Sequence, residues 1–248
     1  MQLEGCVALV TGAARRLGRE IALELAAAGA DIIVHVHTSS AQELAAAIRR
    51  RGRRALILRA DLSRVAGVQQ LTERALEFAG RVDVLVNNAA LFYPTPIASL
   101  STKQWRAFLD TNLTAAFCLG LSLGRAMRRQ GAGKIVQLGD WSGLRPSRDY
   151  LAYCVSKGGI HALSVALAKA LAPEVQVNTV APGPVLPPVT YTAAELARLR
   201  RDTPLGRLGS PRDVVRTVRF LIEQGDFISG ATYVPDGGWL ASGPGRES

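Results

Sequence analysis

The chain of 248 residues is 48% hydrophobic and carries 30 Lys and Arg against 20 Asp and Glu, a formal charge of +10. Apolar residues spread evenly over that length allow one large α/β domain with a sizeable core, and no low-complexity tract or internal repeat interrupts it. Cys6, Cys118 and Cys154 lack CxxC or Cys/His metal spacing, and no apolar run approaches the roughly 18–20 uncharged residues of a membrane span, so a soluble, cytoplasmic protein with reduced thiols and no metal is expected.

Short β-branched apolar runs alternate with longer helical patterns. Val7–Thr11, Ile32–His37, Ala55–Arg59, Val82–Asn87, Lys134–Leu138, Val175–Val180 and Ala231–Val234 read as strands. Between them, apolar residues recur three and four apart, as in Leu17, Ile21, Leu25 and Ala28, before Gly29 supplies a helix stop. Such alternation predicts a single α/β unit over 1–248, a doubly wound, parallel, seven-stranded sheet with helices on both faces. Its chemistry belongs in the loops at the strand C-termini.

The basic charge is dispersed. Its densest run, Arg49-Arg50-Arg51-Gly52-Arg53-Arg54, closes one predicted helix, where cations suit the macrodipole. Without interleaved aromatics or a recognition motif, this excess fits attraction of an anionic cofactor and predicts neither nucleic acid nor membrane as partner.

After the first strand comes Thr11-Gly12-Ala13-Ala14-Arg15-Arg16-Leu17-Gly18-Arg19. A glycine turn opening a helix there presents backbone N–H groups to a pyrophosphate, although glycine also occurs at such turns for backbone reasons alone. The second strand ends in His35-Val36-His37-Thr38-Ser39-Ser40, with no acid to accept from a ribose 2′-OH. Arg15, His37, Thr38 and Ser39 are candidate donors to a 2′-phosphate, which favours NADPH over NADH; the Thr38–Ser40 run also suits an N-cap of the following helix.

Tyr153 and Lys157 stand four apart at the start of a helix whose body, Ile160 to Leu171, is apolar on several sides. A phenol of pKa near ~10 exchanges protons poorly at neutral pH, and a nearby ammonium is expected to bring it toward the working range.

These motifs together resemble the short-chain dehydrogenase/reductase family over about residues 5–240. Gly12 and Gly18 match its TGxxxGxG turn, with Arg16 in place of the middle glycine; Asn87-Asn88-Ala89-Ala90 is similar to its NNAG motif, and Asn178 to Gly183 to its NxxxPG segment. The resemblance implies a Rossmann fold. It also implies an adenine bracket from Asp61 and Leu62, cofactor contacts from Asn88, Ala89, Pro182, Gly183 and Val185, and the catalytic set Asn112, Tyr153 and Lys157. Lys157 would hold the nicotinamide ribose, Asn112 would carry a water chain to Lys157, and the family's apolar interface helices imply a homotetramer. Where the family has a serine, 13 residues before the tyrosine, this chain has Asp140.

That departure, with residues 11–19, 35–39 and the Asn87 to Pro96 run, resembles the pteridine reductases of the family. Implied are dihydropterin reduction, Phe92 stacking on a flat heterocycle, Arg16 touching cofactor phosphate and pterin, Asp140 and Tyr153 handling protons, and a substrate lid around 184–203. The alternatives weighed are a 3-oxoacyl-[acyl-carrier-protein] reductase or other carbonyl reductase, a sugar or polyol dehydrogenase, and a non-catalytic NADP(H)-binding sensor.

Overall fold

The computed structural model describes residues 1–187 and 191–242. Seven parallel strands form one sheet in the order β3-β2-β1-β4-β5-β6-β7. They are β1 Val7–Val10, β2 Asp31–Val36, β3 Ala55–Arg59, β4 Val84–Asn87, β5 Gly133–Leu138, β6 Val175–Val180 and β7 Thr232–Tyr233. Each expected strand is present, and the doubly wound α/β architecture stands. β4 begins after Asp83, whose carboxylate accepts the Val7 N–H at 2.8 Å while its own N–H bonds the Val7 carbonyl at 2.8 Å.

Helices cover both faces, so the inner strands are apolar on both. On one face, α1 (Arg16–Ala27), α2 (Gln42–Arg49) and α8 (Pro211–Glu223) bury Ile21, Leu25, Leu44, Ile48, Val214 and Leu221 against Ala8 and Val10. On the other, α3 (Val65–Ala79), α5 (Ala115–Gln130) and α6 (Leu151–Leu171) bury Leu71, Leu119, Leu123, Leu167 and Leu171 against Val7 and Leu9. The continuous helical run of residues 102–130 and α6 both meet the length and mean hydropathy of a membrane-crossing helix. Here those apolar residues are spent on the sheet.

One local feature positions the site. Between α4 (Thr102–Leu109) and α5 the chain widens into a π-helical turn, Asp110–Thr114, that turns Asn112 inward. Such turns often mark functional positions. In the arginine run, Arg51 donates to the Ala47 carbonyl in the last turn of α2 at 2.9 Å, and Arg49 reaches the Ala55 carbonyl at the start of β3 at 2.8 Å. The remaining helix, α7 (Ala193–Asp202), lies within the expected lid and buries none of its residues; residues 188–190 of that lid lie outside the described residues.

Candidate active site

The first loop leaves β1 as a left-handed turn at Gly12, with φ +63°. A Cβ at Gly18 would lie 2.5 Å from both the Gly12 carbonyl and Asn88 Nδ2, so the turn and the start of α1 touch main chain to side chain. Asn88 straps this turn by donating to the Thr11 carbonyl at 2.8 Å, while Thr11 Oγ accepts the N–H groups of Asn88 and Ala89 at 2.9 and 3.0 Å. Arg16 sits at φ +52°, the one non-glycine residue at positive φ among those described. That explains why a glycine is expected there, and an arginine in this region costs on the order of 1–2 kcal/mol. Its guanidinium crosses the mouth to the Leu186 carbonyl. α1 has no side-chain N-cap, and the amides of Arg15, Arg16 and Leu17 have no hydrogen-bond partner among the described residues, the kind of donor set a diphosphate needs.

At the ends of β2 and β3, His37 and Thr38 are exposed and Ser39 is half-buried. α2 starts at Gln42, with Ala41 at the cap position making no side-chain bond; of the hydroxyl run, Ser40 Oγ accepts the Gln42 N–H at 3.5 Å. Sequence reasoning missed Arg59, which donates to the His37 carbonyl at 2.6 Å. The signal lay in strand register, since Val36 pairs with Arg59 and puts that guanidinium beside the end of β2. Asp61 accepts from Ser63 N and Oγ at 3.0 and 2.7 Å, which holds its carboxyl below the usual range, and Leu62 is buried beside it.

The chemistry converges where β5 meets α6. Tyr153 and Lys157, one helical turn apart, are both buried. The Tyr153 hydroxyl donates to Asp140 Oδ2 at 2.9 Å, and Asp140 Oδ1 accepts the Ser142 N–H at 2.9 Å, capping a 3-10 turn over Trp141–Gly143. Asp140, not Ser142, is therefore the partner of the tyrosine. A Cβ at Gly143 would lie 2.7 Å from the Lys157 backbone carbon, so the Asp140 turn packs main chain to main chain on α6. Lys157 Nζ donates to the Leu138 carbonyl at 2.6 Å and lies 5.8 Å from the Tyr153 ring centroid.

The expected tuning of the tyrosine is reversed. Burial first, then the Asp140 charge and hydrogen bond, push the Tyr153 hydroxyl well above its ordinary pKa. Burial likewise lowers Lys157 to about 8, with Asp140 working against that fall. The pair is thus a protonated phenol aimed at a carboxylate, beside an ammonium that titrates near the working range.

Asn112 is committed to the fold of the site. Its Oδ1 accepts the Leu91 N–H at 2.7 Å, and its Nδ2 donates to the Leu91 carbonyl at 3.1 Å and to Ser156 Oγ at 3.0 Å. It clamps the loop that carries Phe92. A cavity of about 10 Å³ lined by Asn112, Thr111, Asn87 and Lys157 is of the size of a single water, which suits a relay toward Lys157. Phe92 stands edge-on to Tyr153, centroids 4.8 Å apart, and stacks on Tyr150 at 5.0 Å and 10°. Tyr150, also missed, takes one face of the aromatic expected to hold a substrate. The Thr95 N–H bonds the Asp149 carbonyl at 2.7 Å and pins this wall to the start of α6. Across the mouth, the Pro182 carbonyl accepts the Trp141 N–H at 3.2 Å, Gly183 bonds the Pro235 carbonyl at 3.3 Å, and Val185 is buried.

A sequence profile described as short chain dehydrogenase matches residues 6–196. The chain belongs to the short-chain dehydrogenase family. A 3-oxoacyl-[acyl-carrier-protein] reductase from Synechocystis sp. is 34% identical over 239 residues, 94% of this chain and 96% of that protein. A second 3-oxoacyl-[acyl-carrier-protein] reductase, from Haemophilus influenzae, is 30% identical over 97% of this chain and 100% of its own length. A solved structure from Sinorhizobium meliloti 1021, provisionally described as a short-chain alcohol dehydrogenase, superposes with a TM-score of 0.91 at 32% identity, covering 97% of this chain and 99% of that one. The protein is accordingly an oxidoreductase that uses a nicotinamide dinucleotide and acts on a small-molecule substrate. These relatives are not pteridine reductases, so the finer resemblance rests on its own motifs.

The titration of Lys157 gives a signed expectation. The ammonium offsets the anion left when Tyr153 gives up its proton, and it is present below about pH 8 and lost above it. Reductive kcat should therefore fall as pH rises through about 8, and Lys157→Arg, whose charge persists, should carry that limb beyond pH ~10 at a reduced plateau. A limb unmoved in the arginine variant would assign it to another group.

Proposed function

We propose that this protein is an NADPH-dependent reductase that delivers hydride to a C=N bond of a flat, pterin-type substrate, taking a dihydropterin to a tetrahydropterin. The observation that carries the reading is the Asp140 carboxylate bonded to the Tyr153 hydroxyl at 2.9 Å. A ketone oxygen needs donors, and an ionised carboxylate offers none; a ring that presents N–H groups and takes a proton at nitrogen suits an acceptor beside a phenol. The nicotinamide supplies hydride to carbon. Tyr153 gives its proton to the ring nitrogen, Asp140 orients the ring through its N–H groups, and Lys157 balances the phenolate until solvent restores the proton. Phe92 walls the pocket with an aromatic face and Arg16 reaches it from the first loop. Residues 184–203 would act as the substrate lid.

The second reading, a 3-oxoacyl-[acyl-carrier-protein] reductase, has the named relatives behind it. It requires Asp140 to be protonated or turned away so that Tyr153 can donate to a ketone. A non-catalytic sensor is set aside by family membership and by the intact Tyr153 and Lys157. Turnover of dihydrobiopterin, dihydromonapterin and an acetoacetyl thioester with NADPH separates the two enzymes. Pterin turnover should dominate and fall at least about a hundredfold in both Tyr153→Phe and Asp140→Ser. Thioester turnover that rises in Asp140→Ser, with pterins inert throughout, would establish the second reading.

Preference for NADPH is supported by the absence of an acid at the end of β2 and by Arg15, His37, Thr38, Ser39 and Arg59 around that point. Joint replacement of Arg15 and His37 by alanine, or Arg59→Gln alone, should weaken NADPH about 10–100-fold and leave NADH within about twofold. Equal losses for both cofactors would remove the 2′-phosphate assignment.

Phe117, Val155 and Val165 expose 43, 45 and 41% of their surface on α5 and α6, an apolar face suited to subunit contacts in a homotetramer. Light scattering should return four chain masses; a monomer would overturn this. The three free thiols, Cys6, Cys118 and Cys154, suit the cytoplasm.

A further inference from the structure

We infer that His35 is a positioning residue for the cofactor diphosphate: its ring decides which amides of the first loop remain free to meet it, and ties that loop to the one expected to hold the adenine. The inference rests on a nicotinamide dinucleotide occupying the first loop.

His35 lies one residue before the end of β2, 2% exposed, directly under the glycine turn. The Gly12 N–H points down onto its Nδ1 at 3.1 Å. A donor at Nδ1 fixes the tautomer, so the ring carries its proton on Nε2, which bonds the Ala60 carbonyl at 3.2 Å. Burial holds the ring neutral, lowering its pKa to about 4. The His35 carbonyl accepts the next amide, Ala13 N–H, at 3.0 Å. One residue thus consumes two consecutive amides of the turn. Those of Arg15, Arg16 and Leu17 are left without a partner among the described residues.

The ring also bridges three strands. Gly12 follows β1, His35 belongs to β2, and Ala60 follows β3 immediately before Asp61 and Leu62. Two hydrogen bonds from one imidazole therefore fix the diphosphate turn relative to the adenine loop. The left-handed φ at Gly12 aims its N–H into the protein. Without an acceptor below, that buried donor is unpaired and the turn must rotate to satisfy it, carrying the Arg15–Leu17 amides out of line.

Three variants dissect the two bonds. Asparagine keeps an acceptor near the place of Nδ1, glutamine keeps a donor near the place of Nε2, and phenylalanine fills the volume with neither. The measurements are NADPH Kd by fluorescence, kcat at saturating NADPH, and melting temperature. His35→Phe should raise the NADPH Kd about tenfold or more while saturated kcat stays within about twofold. His35→Asn should restore most of the affinity and His35→Gln should not, whatever their order of melting temperature. Wild-type affinity in His35→Phe, or affinity that follows melting temperature across all three, would overturn the inference. Should the phenylalanine variant fail to fold, the asparagine–glutamine contrast decides it alone. A wild-type protein that binds neither NADPH nor NADH would overturn the cofactor reading itself, and this inference with it.

Discussion

Seven strands running the same way bring all their C-terminal ends to one edge of the sheet, and everything chemical in this protein follows from that constraint. Residues far apart in the chain, Gly12, Asp61, Asn88, Asp140 and Pro182 among them, line the same edge because each lies just past the end of a strand. The strand order reverses between β1 and β4, opening a crevice where the first loop meets the Asn88 loop. Thr11 and Asn88 close the floor of that crevice with four hydrogen bonds no longer than 3.3 Å.

Within the crevice, two buried ionisable side chains and a half-buried one share one small volume. Burial lowers the Lys157 pKa to about 8, and the Asp140 carboxylate opposes that fall. Burial first, and then the same carboxylate, raises the Tyr153 pKa. A serine at position 140 would remove the negative charge and so lower the barrier to ionising the tyrosine.

Much of this was legible in the amino-acid chain, for stated reasons. Strands declared themselves through β-branched runs, and the register of Tyr153 with Lys157 followed from helical geometry. Asp140 was identifiable through the resemblance to the family, which places a serine 13 residues before the tyrosine where this chain has the aspartate. What could not be read depends on contacts between distant segments. The direction of the Tyr153 shift depends on burial and on a 2.9 Å contact, not on residue types. Asn112 spends its amide on Leu91 and Ser156, partners that only the π-helical turn brings within reach. Arg59 needed the pairing of β2 with β3, and which hydroxyl of the Thr38–Ser40 run meets α2, namely Ser40, depended on where that helix begins.

The contact between Gly143 and the backbone of α6 has an evolutionary consequence. Because peptide groups, not side-chain packing, fix the height of that turn over the helix, residue 140 can change while the scaffold beneath it holds, provided the new side chain still accepts the Ser142 N–H. Chemistry can therefore be exchanged there by one substitution, a carboxylate for a hydroxyl, with no compensating repair of the interior. Position 143 is the reverse: any side chain larger than hydrogen would lift the whole turn and forfeit every reaction the pocket might otherwise acquire.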